Sequence, residues 1–242
     1  MTTKIVITGE LPKEPIVIEG FPSKGFVSTI ATRYLIEELD MKVVGHIICD
    51  KLRSFAIIHN SEIHYPIRIY AKGNILLIFS EIIIPIRQMH EISDAISKWL
   101  SEIKPKEVIL LAGISGRFTE KEHEILGIAT NKELRDKLRN ADVIHVEEGM
   151  LSGISSDLIL FCSDNKIPAM ALIAETEYSP DPMAAVSMLK VMNKILGLDI
   201  DTERISREGK EIEEVFKRIT EEVKRSKEHH EDMEDLSPPM YG

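Results

Sequence analysis

Three stretches of small residues and one pair of acids hold the positions at which this sequence could do chemistry. Glu19-Gly20-Phe21-Pro22-Ser23-Lys24-Gly25 leads toward a helical pattern, and a glycine turn feeding a helix can offer backbone amides to an anion. Its lysine and glycine stand in the wrong order for a nucleotide P-loop, and it lacks the Gly-x-Gly-x-x-Gly spacing. A tight strand-to-helix turn that needs glycine dihedrals explains it as well. Gly113-Ile114-Ser115-Gly116-Arg117 and Gly149-Met150-Leu151-Ser152-Gly153-Ile154-Ser155-Ser156 each follow an apolar run. That places both at strand C-termini, where open α/β sheets bind ligands. Ser115 misses a Gly-x-Ser-x-Gly elbow by one position, and no His and Asp partners are assignable to it. Glu147-Glu148 closes another apolar run and could bind a ribose hydroxyl or act as an acid–base pair. A solvated turn is the alternative.

No metal site is expected. Cys49 and Cys162 are far apart, His59 and His64 flank Asn60-Ser61, and His229-His230 lies in a polar tail. None has the ligand spacing of a zinc centre. The C-terminus is more specific. Ser237-Pro238-Pro239 precedes Met240-Tyr241-Gly242. Two prolines hold a segment extended and reduce the ordering cost of docking in a groove. Met240 supplies a flexible apolar contact, Tyr241 an amphipathic ring, and the Gly242 carboxylate a charge that a lysine or a backbone nest can capture.

The elements that must position these residues alternate. Short apolar runs at 5–8, 15–19, 42–49, 67–71, 75–79, 107–112, 142–146 and 169–174 predict strands. Several are apolar at successive positions, as in Val108-Ile109-Leu110-Leu111, which suits a sheet covered on both faces. Helical stripes run from Phe26 to Leu39, from Met89 to Ile103, and from Pro182 to Leu196. Pro105 stops the second; Asp181 caps the third and Gly197 ends it. Strands alternating with helices predict a mostly parallel sheet with crossovers, and the helix-free stretch 42–79 predicts an antiparallel or mixed portion. Two units are expected, an α/β/α core over 1–200 and, over 201–242, a charged amphipathic helix with an extended tail. Ile205, Ile212, Val215, Phe216, Ile219 and Val223 form the stripe of that helix.

The 242 residues carry a net charge of −10, are 43% hydrophobic and only 5% aromatic. A net acid without a basic patch does not track a phosphate backbone. No apolar stretch reaches the roughly 18 residues of a membrane span, and no signal-peptide core follows Met1. Two cysteines do not make a disulfide framework. The expectation is a cytoplasmic chain without nucleic-acid or membrane partners.

Taken together, four segments resemble the archaeal proteasome-assembly-chaperone family. They are 19–39, Leu110-Leu111-Ala112-Gly113-Ile114, Gly149-Met150-Leu151-Ser152-Gly153-Ile154-Ser155, and Pro180-Asp181-Pro182-Met183-Ala184-Ala185 with Leu196-Gly197-Leu198-Asp199-Ile200. Ser23 and Ser28 depart from the family's fuller glycine pattern. The terminus Met240-Tyr241-Gly242 resembles the hydrophobic-Tyr-X tail of the archaeal B-type homologue.

The resemblance implies a three-layer α/β/α fold like that of nucleoside phosphorylases, mostly parallel or mixed. It implies a homo-oligomer, a tetramer or pentamer, with no catalysis, no cofactor and no use of ATP. It implies that Met240, Tyr241 and Gly242 dock between α-subunits of the 20S proteasome, the carboxylate on a pocket lysine and Tyr241 against the gate base. Two alternatives stand beside it. One is a nucleoside-phosphorylase-like enzyme using Glu147-Glu148 as a strand-end carboxylate site with Arg117 near an anion. The other is an oligomeric scaffold whose tail packs on a neighbour.

Overall fold

A computed structural model describes residues 3–52, 54–59, 61–116, 123–205 and 207. Arg117, His229, His230 and the tail Met240-Tyr241-Gly242 lie outside the described residues.

The chain runs β1 (Lys4–Ile7), β2 (Ile16–Gly20), a single 3-10 turn (Lys24–Phe26), α1 (Val27–Glu38) and β3 (Lys42–Ile48). A short hairpin follows, β4 (Ile57–His59) and β5 (Glu62–His64), then β6 (Ile67–Lys72), β7 (Ile75–Ser80) and α2 (Ile86–Ile103). The second half is β8 (Glu107–Ser115), β9 (Ile125–Ala129), α3 (Lys132–Asn140), β10 (Ile144–His145), α4 (Ile154–Asp164), β11 (Ala169–Thr176) and α5 (Pro182–Leu196).

Nine strands form one mixed sheet in the order β1-β3-β6-β7-β2-β8-β11-β9-β10. Its centre, β7-β2-β8-β11, is parallel throughout. One flank, β1-β3-β6-β7, is antiparallel, as the helix-free stretch 42–79 predicts. Strand β9 runs antiparallel to β11, and β10 parallel to β9. The β4–β5 hairpin stands apart from this sheet.

Period-two alternation sends the central strands to two cores. Ile18, Ile109, Leu111, Met170 and Leu172 face α1, α3 and α5; Val17, Val108, Leu110, Ala171 and Ile173 face α2 and α4. That is the expected α/β/α layering. Each of the Val, Leu, Ile and Met side chains contributes about 1.5–3 kcal/mol on burial, so the central strands are rigid rails for whatever sits at their ends. Helix α5 starts and stops as its sequence predicts: the Ala184 N–H donates to Asp181 Oδ1 at 3.0 Å, and Gly197 closes it at φ 66°. Beyond α5 the chain packs back on α1. Ile200 and Ile205 are buried, and the Tyr34 hydroxyl donates to the Asp201 carbonyl at 2.8 Å.

Candidate functional site

Because β7, β2, β8 and β11 are mutually parallel, their C-terminal ends share one edge of the sheet. The loops leaving that edge are the ones singled out by composition. The connections after β2, after β8 and before α4 together enclose a cavity of about 270 Å³. Its apolar lining includes Phe21, Ile84, Met89, Ile114, Leu151 and Ile154.

Sterics explain two of the glycines. Gly25 sits at φ 69° inside the 3-10 turn, a left-handed backbone that side chains disfavour. A Cβ on Gly113 would lie 2.1 Å from the Lys24 carbonyl oxygen, so the turn after β2 rests directly on the backbone of β8. Ser23 and Ser28, the departures from the glycine pattern, pair with each other. The Ser28 hydroxyl donates to the Phe21 carbonyl at 2.5 Å and lies 2.7 Å from Ser23 Oγ. With its proton committed to Phe21, Ser28 receives the Ser23 proton, and the turn is tied shut from within.

The floor of the cavity carries Glu19. It belongs to the face of β2 shared with Val17 and Phe21 and is 1% exposed. Oε1 accepts the Phe21 N–H at 2.9 Å; Oε2 accepts the Ser155 hydroxyl at 2.7 Å. Ser155 lies in the first turn of α4, just after Gly153 at φ 86°. Burial pushes the Glu19 carboxyl up from 4.5 to about 7, and the bonds from Ser155 and Phe21 pull against that rise. Among the described residues no cation pairs with it, and Lys24, the one charged neighbour lining the same cavity, is exposed at its rim.

The sequence candidates therefore divide. The segments at 19–25, 113–114 and 150–155 converge on one cleft. Glu147 and Glu148 do not line it and are exposed, so the strand-end carboxylate is Glu19. Its signal was available: an acid within Ile16-Val17-Ile18-Glu19-Gly20, on the inward side by period two. Cys49 and Cys162 are free and buried in the α2/α4 core, and burial pushes the Cys162 thiol up to about 12. His59 and His64 do come together, with ring centroids 6.1 Å apart. They sit over a different feature, in which His59 Nε2 and Arg68 Nη2 both meet Glu81 Oε1, at 2.8 and 2.5 Å. No three His, Cys, Asp or Glu side chains converge as a metal set among the described residues.

Of one further polar cluster only the cap residue Asp181 had a sequence signal. Asp181, besides capping α5, accepts from the Thr176 hydroxyl at 2.5 Å, and His123 Nε2 lies 3.4 Å from it. His123 Nδ1 donates to the Glu175 carbonyl at 3.0 Å. All three side chains are buried. They fasten the N-terminus of α5 to the end of β11, which is a positioning role.

Comparison with known proteins agrees with this architecture. The chain is 33% identical over 211 residues to an uncharacterized protein of Methanocaldococcus jannaschii, covering 87% of each. The crystal structure of Pyrococcus furiosus PbaA, described as an archaeal homolog of proteasome-assembly chaperone, superposes with a TM-score of 0.85 at 30% identity, over 93% of this chain and 99% of that one. Pyrococcus furiosus PbaB, described as an archaeal proteasome activator, superposes with a TM-score of 0.74 at 24% identity, over 90% and 99%. The latter likeness is one of fold, so the B-type expectation rests on the tail alone. No helix among the described residues is long and apolar enough to cross a membrane. Residues 17–220 match the PAC2 family, and the chain belongs to it.

Proposed function

We propose that this protein is a non-catalytic proteasome-assembly chaperone or activator. It works as a homo-oligomer, a tetramer or pentamer in the cytoplasm, and docks on the 20S proteasome without ATP. The α/β/α body over 1–200 is the platform. The segment 201–242, a charged helix and an extended end, carries Met240, Tyr241 and Gly242 to pockets between α-subunits. The observation that carries this reading is the terminus Ser-Pro-Pro-Met-Tyr-Gly on a PAC2-family body that resembles PbaA at 30% identity.

The chemistry of the tail supports it. A carboxylate beside an amphipathic ring suits a pocket with one lysine and one apolar wall. Prolines at 238 and 239 lower the ordering cost of an extended peptide. Several tails on one oligomer bind with an effective concentration that multiplies weak single contacts by about 10²–10⁴.

The test mixes the full chain with an archaeal 20S core and follows co-sedimentation and hydrolysis of a peptide reporter. Tyr241→Ala and a chain ending at Pro239 run beside the wild type. Binding by wild type and loss of binding by both variants, with unchanged circular dichroism, is the expected result. Equal binding by all three puts the contact on the folded body and overturns the tail reading.

A further inference from the structure

Docking through the tail, as proposed, assigns the Glu19 cavity no role, and the chemistry of that cavity is unusual enough to specify a ligand. A glutamate this deeply buried is ordinarily paired with a cation. Elsewhere in this molecule the rule holds: Glu81 has Arg68, and Glu107 has Lys137 on both oxygens at 2.6 and 2.9 Å. Glu19 has two hydrogen-bond donors, one on each oxygen, and among the described residues no counter-charge. Both donors suit an ionised carboxylate, and each oxygen keeps a lone pair for a further donor. Phe21, Ile84, Met89, Ile114 and Leu151 line the same cavity, whose volume of about 270 Å³ falls just below the roughly 300–1,000 Å³ range of ligand pockets.

We infer that this cavity binds a small organic cation, a primary ammonium or guanidinium on a short aliphatic chain, with the charged head on Glu19 and the chain along the apolar walls. An anion would meet the floor carboxylate with like charge. A neutral donor can add a hydrogen bond but brings no charge to stabilise the ionised carboxylate in place of its proton. A metal ion would find one carboxylate and no second ligand of its kind among the described residues. An alkylammonium satisfies both ends of the cavity. Its binding displaces the proton that burial otherwise holds on Glu19, so binding and proton release are linked.

The charged groups facing this carboxyl are few. Lys24 stands at the rim. On the flanking helices His90 and Asp157 pair with each other at 2.9 Å, and Asp157 also accepts from Ser93. The pH dependence of binding therefore belongs to Glu19. The inference is independent of the tail, and a chain ending at Pro239 should bind the cation as the full chain does.

The experiment is titration calorimetry of the full-length protein with butylammonium, and with 1-butanol as the neutral isostere. Runs at pH 5.5 and 6.5 in buffers of different ionisation enthalpy count protons. Carbon-13 carboxyl NMR follows Glu19 with and without butylammonium. Butylammonium affinity should rise about tenfold between the two pH values, with proton release, while 1-butanol shows neither effect. Saturating butylammonium should lower the Glu19 titration midpoint by one unit or more. Glu19→Gln, nearly isosteric, should weaken butylammonium at least tenfold and abolish the pH dependence. The wild-type NMR titration keeps the inference testable if that variant folds poorly. Equal affinity for ammonium and alcohol overturns it. So does a Glu19 midpoint in the free protein near the ordinary carboxyl value, which an internal counter-ion would produce.

Discussion

The antiparallel flank and the parallel centre of the sheet each bury a glutamate at the end of a strand, and they treat it in opposite ways. On the flank, Glu81 follows β7 with its side chain 7% exposed, and Arg68 and His59 converge on the same oxygen. Arg68 is itself sandwiched near Tyr70 and Phe79, 5.5 and 5.8 Å from their ring centroids. At the centre, Glu19 ends β2 with hydrogen bonds from one hydroxyl and one amide. The flank pairs its buried carboxylate inside the fold, which ties β6 to the β4–β5 hairpin, although Arg68 Nε keeps no hydrogen-bond partner there among the described residues. The centre leaves its charge to be balanced by a proton or by something from outside. Buried charge that is paired speaks of structure, and buried charge that is unpaired beside a cavity speaks of a site.

The largest effect should come from breaking the paired side. Arg68→Met leaves Glu81 buried with only His59, and stability by urea denaturation should fall by about 3–5 kcal/mol. Adding Glu81→Met should recover most of that loss, because two apolar side chains replace two charges. A loss below about 1 kcal/mol would mean that the pair does not anchor the flank. The unpaired side should respond to pH instead. Glu19 in the folded protein sits at about 7, above its ordinary 4.5. Between those values the folded state keeps a proton that the unfolded chain has lost. Stability therefore falls as pH rises through that window and levels off above it. The full drop is about 3 kcal/mol, and Glu19→Gln, which has no proton to lose, should remove it. Identical pH profiles for wild type and Glu19→Gln would erase the contrast between the two glutamates.

Much of this arrangement is legible in the sequence, and the failures have physical causes. Helices α1, α2 and α5 announce themselves by apolar spacing and, in α5, by Asp181, Pro182 and Gly197. Helix α3 does not, because Lys132–Asn140 has only Leu134 and Leu138 to bury; two apolar residues are too few for a periodic signal. Its marker was the cap, Asn131 Oδ1 accepting the Leu134 N–H at 2.8 Å. Strand β9 is five residues with Gly127 in the middle, where a Cβ would meet Val143 at 2.6 Å; tertiary contact makes it a strand. At the site, glycine loops pointed to the right edge of the sheet, but their convergence on one cavity depends on strand order. Glu147-Glu148 attracted notice because paired acids are conspicuous, whereas Glu19 is a single acid in an apolar run. Its meaning comes from burial and from a missing partner, and neither is a property of local sequence.

The smallest effect is the sharpest test of how Glu19 is held. Ser155 reaches it from the first turn of α4, across 136 residues of chain, and its hydroxyl lowers the carboxyl against the push of burial. A hydrogen bond to a charged group contributes about 1.5–3 kcal/mol when the acceptor is ionised. A hydroxyl can also turn and accept from the neutral acid, so only part of that separates the two protonation states. Ser155→Ala should therefore raise the Glu19 midpoint by up to about one pH unit, equivalent to about 1.4 kcal/mol, and cost about 1 kcal/mol of stability above pH 7. Below the midpoint the same substitution should cost less, since the neutral acid has less need of a donor. Arg68→Met, by contrast, should leave the Glu19 midpoint where it is, because it acts at the other glutamate. Carbon-13 NMR of the Glu19 carboxyl in the two variants reads both outcomes. A midpoint unmoved by Ser155→Ala would show that α4 packs beside the carboxyl without tuning it, and the cleft would then owe its character to burial alone.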